Sequence, residues 1–221
     1  MKQILTLWIV FLLALGTQAQ NNNPIAKIPF ELEGEHIYIR VNIENSRELE
    51  FIFDTGAGAT VINSSVVEEL RFKSEEMIEN TGASGKVNVE IFQDKNIRLN
   101  SLELSKIDLQ GASLSHLEQS IGRDIDGIIG YDLLKKYVTE INYDSSELII
   151  FKSKRYKYRG NGKMIKIDLG KIPTAFFEIS LNDSTYHKEE FILDNGAGLA
   201  MAFTTPFSKR NNLKKVMGKT Y

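Results

Sequence analysis

The sequence predicts a mainly β protein with short helices, built around a strand-and-loop unit that occurs twice. Three observations carry this expectation. Apolar and polar residues alternate with a period of two in the clearest segments, helical spacing is confined to short pieces, and one eight-residue frame recurs 140 positions later. The chain has 221 residues, 42% hydrophobic and 25% charged, which is ordinary globular composition with enough apolar material for one large core or two small ones.

The first nineteen residues stand outside this pattern. Lys2 is a short positive region, Ile4 to Leu15 is apolar except for Thr6, and Thr17 and Ala19 place small residues at a cleavage site. Residues 1–19 therefore read as a secretory signal peptide whose removal leaves Gln20 first. An apolar run of about a dozen residues is shorter than the roughly 20 needed to cross a bilayer. No later segment is long and apolar enough to span, so the expectation is an exported protein, periplasmic or extracellular.

Residues 20–27, containing Asn21-Asn22-Asn23-Pro24, form an N-terminal spacer. Next, His36 to Ile43 places Ile37, Ile39, Val41 and Ile43 on one face and Tyr38, Arg40 and Asn42 on the other, the signature of a strand. Glu44 to Arg47 is a polar turn and Leu49 to Phe53 resumes as a strand, so the two form a hairpin. Helical spacing is found over Ser64–Leu70 and over Asp132–Tyr137, with Leu133, Leu134 and Tyr137 on one side.

Composition narrows the chemistry. Lys and Arg number 27 against 29 Asp and Glu, which offers no basic field for a phosphate backbone and makes nucleic acid an unexpected partner. The absence of cysteine excludes disulfides, thiol nucleophiles and Cys-based metal sites. His36, His116 and His187 are scattered and lack zinc-ligand spacing, so each reads as a surface or satisfied histidine and no metal site is expected. Asp124 and Asp126 flank Ile125 without the further ligands of a calcium loop and read as a solvated turn. Lys152 to Arg159 is a basic, tyrosine-containing run that reads as an exposed linker.

The repeated frame is Phe-Ile-apolar-Asp-x-Gly-Ala-Gly. It comprises Phe51 to Gly58, with Asp54, Thr55 and Gly56, and Phe191 to Gly198, with Asp194, Asn195 and Gly196. Each copy follows a strand and a polar turn. An aspartate in a glycine-rich turn after a buried strand can be surrounded by backbone N–H groups, and glycine permits close approach. If the two copies face each other, Asp54 and Asp194 come within a few ångströms, share one proton and hold a water between them. The ionised member then takes a proton from that water while the protonated member polarises a carbonyl. The Thr55 hydroxyl would tie its loop to the opposite one.

Residues Phe53 to Ile62, with the Asp54-Thr55-Gly56-Ala57 core, resemble the active-site signature of aspartic proteases, particularly the retropepsin-like branch. A second motif agrees: Ile128-Ile129-Gly130, within Asp126 to Leu134, is similar to that family's apolar-apolar-Gly segment, which runs behind the catalytic loop and closes the lobe. Thr81-Gly82-Ala83-Ser84-Gly85 lies where such proteins place the flap over the substrate. Val138 to Tyr143 and Leu148 to Phe151 look like closing strands.

The resemblance implies closed β-barrel lobes of the acid-protease kind, with residues 28–152 as the first, 153–163 as a linker and 164–221 as the start of a second. It implies an aspartic endopeptidase acting on peptide or protein substrates through Asp54 and Asp194, without metal or organic cofactor. Asn195 departs from the Thr or Ser usual in the family, and 199–221 contain no second flap or closing segment, so the second lobe is expected to be incomplete. Other readings stay open: a peptide-binding module without a working dyad, an inactive fragment, a two-lobed phosphate-binding ATPase-like protein, or a homodimer through the first lobe in which Asp54 meets its symmetry mate.

Overall fold

The computed structural model describes residues 23–82, 85–182 and 185–216. The expected signal peptide and two of the flap residues, Ala83 and Ser84, lie outside them. Ten strands form the larger sheet: β1 (Ala26–Glu33), β2 (His36–Ile43), β3 (Leu49–Phe53), β4 (Thr60–Asn63), β5 (Glu76–Gly82), β6 (Gly85–Leu99), β7 (Leu102–Ala112), β8 (Gly127–Ile129), β9 (Tyr137–Asn142) and β10 (Glu147–Lys152). Their order is β5-β6-β7-β4-β8-β3-β2-β1-β10-β9, and an additional β6–β2 pairing closes β6, β7, β4, β8, β3 and β2 into a six-stranded barrel. Closure leaves those strands without free edges on the ring.

Patterning explains the inside of this barrel. Ile37, Ile39, Val41 and Ile43 of β2 point inward with Phe51 and Phe53 of β3, Phe92 and Ile97 of β6 and Leu109 of β7, all essentially inaccessible. The other face of β2 is less polar in practice than its sequence suggests. Tyr38 is also buried, packed with Ile52, Leu114 and Ile125 in a smaller cluster. Leu117 and Ile121 of helix α2 (Ser115–Ile121) cover that cluster, α1 being Ser64–Leu70. Arg123 lies 4.0 Å above the Tyr38 ring and is paired with Glu31, Glu33 and Glu50, so this outer core is roofed by a guanidinium.

The hairpin and the first helix occupy the expected positions, β2 pairing antiparallel with β3 from Ile37↔Phe53 to Val41↔Leu49. Three local readings change. The helix expected over Asp132–Tyr137 is α3 (Tyr131–Leu134), because Tyr137 already pairs with Lys152 as β9 joins β10. Helix α2 has no counterpart in the sequence reading. Asp126 is no solvated turn residue: its carboxylate accepts from both terminal nitrogens of Arg47, at 3.0 and 2.8 Å, and from the Glu50 backbone N–H at 2.7 Å.

The connector after β10 starts as a 3-10 turn over Ser153–Arg155, and Tyr156 packs on Phe151 with ring centroids 4.9 Å apart. A separate sheet follows, with β11 (Asp168–Leu169), β12 (Pro173–Asn182) and β13 (Thr185–Ile192) in that order. Here β12 and β13 pair antiparallel, so the segment before Asp194 is a hairpin like that before Asp54. Beyond it, residues 199–216 hold α4 (Thr205–Arg210) and α5 (Leu213–Val216), which the tail composition did not announce. Helix α4 begins after its cap Thr204, ten residues past Asp194; α1 begins after Asn63, nine past Asp54.

Candidate active site

Asp54 sits immediately after β3, a central strand flanked by β2 and the parallel strand β8. The Asp54 N–H donates to the Ile129 carbonyl at 2.9 Å, which carries the β3–β8 pairing one residue into the loop. The chain then turns: Ala57 N–H donates to the Asp54 carbonyl at 3.1 Å, and Tyr131 N–H donates to the Ala57 carbonyl at 3.0 Å. Gly130 must be glycine here, because a Cβ would lie 1.9 Å from the Asp54 carbonyl oxygen. The apolar-apolar-Gly motif thus lies behind the Asp54 loop.

The second loop meets the first through a reciprocal exchange. Thr55 N–H donates to Asn195 Oδ1 at 2.7 Å, and the Thr55 hydroxyl donates to the Leu193 carbonyl at 2.7 Å. In return, Asn195 N–H donates to Thr55 Oγ1 at 3.1 Å and Asn195 Nδ2 donates to the Phe53 carbonyl at 3.0 Å. The Asn195 side chain therefore bridges the loops, its amide supplying an acceptor for one backbone donor and a donor for one backbone acceptor.

The two carboxylates are brought face to face by this exchange. Gly56 N–H donates to Asp54 Oδ1 at 2.7 Å and Gly196 N–H to Asp194 Oδ1 at 2.9 Å, so each loop holds its own aspartate in the same way. Each glycine also lies against the opposite carboxylate. A Cβ on Gly56 would fall 2.5 Å from Asp194 Cγ, and one on Gly196 would fall 2.4 Å from Asp54 Cγ. No side chain larger than hydrogen fits at either position with the acids in place.

Burial pushes the Asp54 carboxyl up to about 6, and the neighbouring charge of Asp194 and its hydrogen bond to that residue act in the same direction. Hydrogen bonds from the Gly56 and Ala57 backbone oppose the shift. An acid raised into this range beside a second carboxylate can hold a proton at mildly acidic pH while its neighbour accepts one, which is the requirement for activating a bound water.

The remaining predicted residues fall into two groups. Ile128 and Ile129 form β8 with Gly127, in parallel register with Ile52 and Phe53. Thr81, Gly82 and Gly85 belong to the hairpin of β5 and β6, where Gly82 pairs with Gly85. The β6–β7 pairing begins only at Glu90, so Ile78–Gly82 and Gly85–Val89 form a two-stranded ribbon beyond the barrel wall.

Two residues at this site were missed in the sequence. Asp132, 6% exposed, accepts from the Thr60 N–H at 3.0 Å and the Thr60 hydroxyl at 2.6 Å through one oxygen, and from Lys135 Nζ at 2.5 Å through the other. A signal existed, since a carboxylate among apolar residues one step after Tyr131 needs a partner once the helix packs. Spacing alone could not identify Thr60, which lies 72 positions away. Among the described residues no three His, Cys, Asp or Glu side chains are grouped to hold a metal ion, and no helix is long and apolar enough to cross a membrane.

Residues 39–133 match the model of the family described as Aspartyl protease. No curated protein matches the chain. Among solved structures, the chain is similar to a retropepsin-like aspartic protease from Rickettsia conorii, at 17% identity and a TM-score of 0.41, over 57% of this chain and 90% of that one. The matched residues contain the whole Asp54 loop and the Ile128-Ile129-Gly130 segment, so this part of the chain carries the aspartyl protease family's sequence. The chain is accordingly a peptidase of the hydrolase class.

Proposed function

We propose that the chain is an exported aspartic endopeptidase in which Asp54 and Asp194 jointly activate a water for attack on a peptide carbonyl. The observation that carries the reading is the placement of each loop's glycine against the other loop's carboxylate. Such reciprocity has no purpose in a turn that merely caps a strand, and it sets the acids close enough to share a proton.

In the proposed reaction, one carboxylate of the singly protonated pair takes a proton from the water while the other donates a hydrogen bond to the scissile carbonyl. The resulting diol collapses with transfer of a proton to the leaving amine, and no covalent intermediate forms. Thr55 and Asn195 keep the two loops in register, and the ribbon ending at Gly82 and Gly85 is the proposed cover for an extended peptide, whose backbone an exposed ribbon can hydrogen-bond. One chain suffices for this arrangement, because Asp194 takes the place that the Asp54 of a second copy would otherwise fill.

The test is cleavage of a peptide library at mildly acidic pH. Activity that is blocked by a statine-type peptide, unaffected by a chelator and lost in Asp54→Asn is expected, from a species that sediments as a monomer. Retained cleavage in Asp54→Asn overturns the assignment. Export through removal of residues 1–19 is tested separately by N-terminal sequencing of the secreted protein, which should begin at Gln20.

A further inference from the structure

We propose that Asp132 is a positioning residue for Asp54, acting by pinning the far end of the Asp54 loop through Thr60. The inference rests on the dyad reading above and extends it to a group outside the repeated motif.

The loop from Asp54 to Thr60 contains Gly56 and Gly58, and glycines leave a backbone more conformations than any other residue. It must nevertheless present one carboxylate in one orientation, which requires fasteners along its length. Three are backbone bonds already described: Asp54 to Ile129, Ala57 to Asp54 and Tyr131 to Ala57. Together they hold the first half. Beyond Ala57 the next fastener to the 129–132 segment is the pair of bonds from Thr60 to the Asp132 carboxylate, before β4 pairs with β7 and β8. One short segment, Ile129 to Asp132, thereby grips the loop at its start, middle and end.

The chemistry of the contact also argues for a role in geometry. A buried carboxylate is costly, and a buried charge with its partners is often no more stabilising than apolar side chains of the same volume. Asp132 is nevertheless buried with a backbone donor, a hydroxyl and an ammonium, while Thr60 is completely inaccessible. What such a group provides over a leucine is direction: it accepts only when Thr60 stands at one place and one angle. Displacement of Thr60 is transmitted through the glycines to the 2.7 Å bond between Gly56 N–H and Asp54 Oδ1, which orients the reacting carboxylate. No group among the described residues grips the Asp194 loop in this way.

The test uses the whole chain and three variants: Thr60→Val, which keeps the volume and removes the hydroxyl; Thr60→Ser, which restores it; and Asp132→Leu, which keeps much of the volume and removes both acceptor oxygens. Misplacement of a reacting group by about 1 Å can cost on the order of 100-fold. Thr60→Val should accordingly lower kcat by about 10-fold and Asp132→Leu by about 10- to 100-fold, with KM within about twofold and Thr60→Ser close to the parent. Amide hydrogen exchange supplies a readout independent of activity. Exchange at Gly56 and Ala57 should accelerate in Thr60→Val and Asp132→Leu, while Ile39 and Val41 in β2 keep their protection. Unchanged kcat in both variants, or acceleration spread evenly over the barrel, overturns the inference. If the parent chain cleaves nothing, the dyad reading fails, and the exchange experiment still decides whether Asp132 holds the loop.

Discussion

The Asp54 and Asp194 loops share a sequence frame and differ in what stands behind them. The first leaves a strand buried on both faces and is backed by β8, Gly130 and Asp132. The second leaves a hairpin of a three-stranded sheet, and its aspartate is exposed, as are Leu199 and Met201 beyond it. Among the described residues, the hydrogen bonds that position the Asp194 loop come largely from the other loop, through Thr55 and the Phe53 carbonyl. A local motif can therefore set how a loop holds its own carboxylate, as Gly56 and Gly196 do alike, while the surroundings decide how firmly the loop is held. The same difference acts after the loop. In the first copy Thr60–Asn63 becomes β4 because β7 and β8 flank it; in the second, 199–203 has no strand partner among the described residues and stays irregular.

The largest expected effect tests whether the two acids work as one unit. Asp54→Asn and Asp194→Asn should each lower peptide cleavage by roughly 10²- to 10⁴-fold, since each removes one proton-transfer partner. A large effect for only one of them would break the symmetry inferred from the loops. Next come the glycines. Gly56→Ala places a methyl against Asp194 and Gly196→Ala places one against Asp54, so both should cost about 10- to 100-fold in kcat by displacing a carboxylate. Their melting temperatures should stay near the parent value, because a side-chain carboxylate can move aside. Gly130→Ala collides with backbone and should destabilise the barrel by about 1–3 kcal/mol or more, read by denaturant unfolding.

A pH titration sharpens the comparison further. The Asp54 carboxyl is raised to about 6, so the folded chain holds its proton more tightly than the unfolded chain, where the value is about 3.9. Stability from this source is fully present below about pH 4, falls as pH rises and is lost above about 6, with a total on the order of 1–3 kcal/mol. Asp54→Asn should flatten the stability profile between pH 4 and 6, and cleavage by the parent should decline as pH rises through about 6. The smallest effect is expected at the link itself. Asn195→Ala removes two bonds to the first loop, each worth about 1 kcal/mol net, and should speed amide exchange in β12 and β13 while leaving the barrel's protection unchanged.

Much of this was legible in the sequence because it rests on short-range chemistry. Period-two patterning located β2 and β3, and the repeated aspartate frame located both carboxylates and the residues that touch them. Asn195 was placed beside Asp194 by the repeat, but its bonds to Thr55 and Phe53 were not legible. Other features were opaque for physical reasons. Helix α2 has only Leu117 and Ile121 as apolar residues, too few for helical spacing to stand out, and it exists as the cover for Tyr38, Ile52 and Ile125 on the outside of the barrel. Asp126 reads as a polar loop residue until Arg47 is brought to it across 79 positions.

What the sequence determined by itself is therefore the local unit: a hairpin, then an aspartate in a glycine-bearing turn, twice, followed in one copy by the apolar strand that backs it. Tertiary structure alone decided that Asp54 faces Asp194, that each glycine lies on the opposite acid and that Asp132 reaches Thr60. The reason is distance along the chain. Patterning records which face of a strand is apolar, but a hydrogen bond between residues 72 or 140 positions apart forms only when a closed barrel and a second hairpin carry its two ends together.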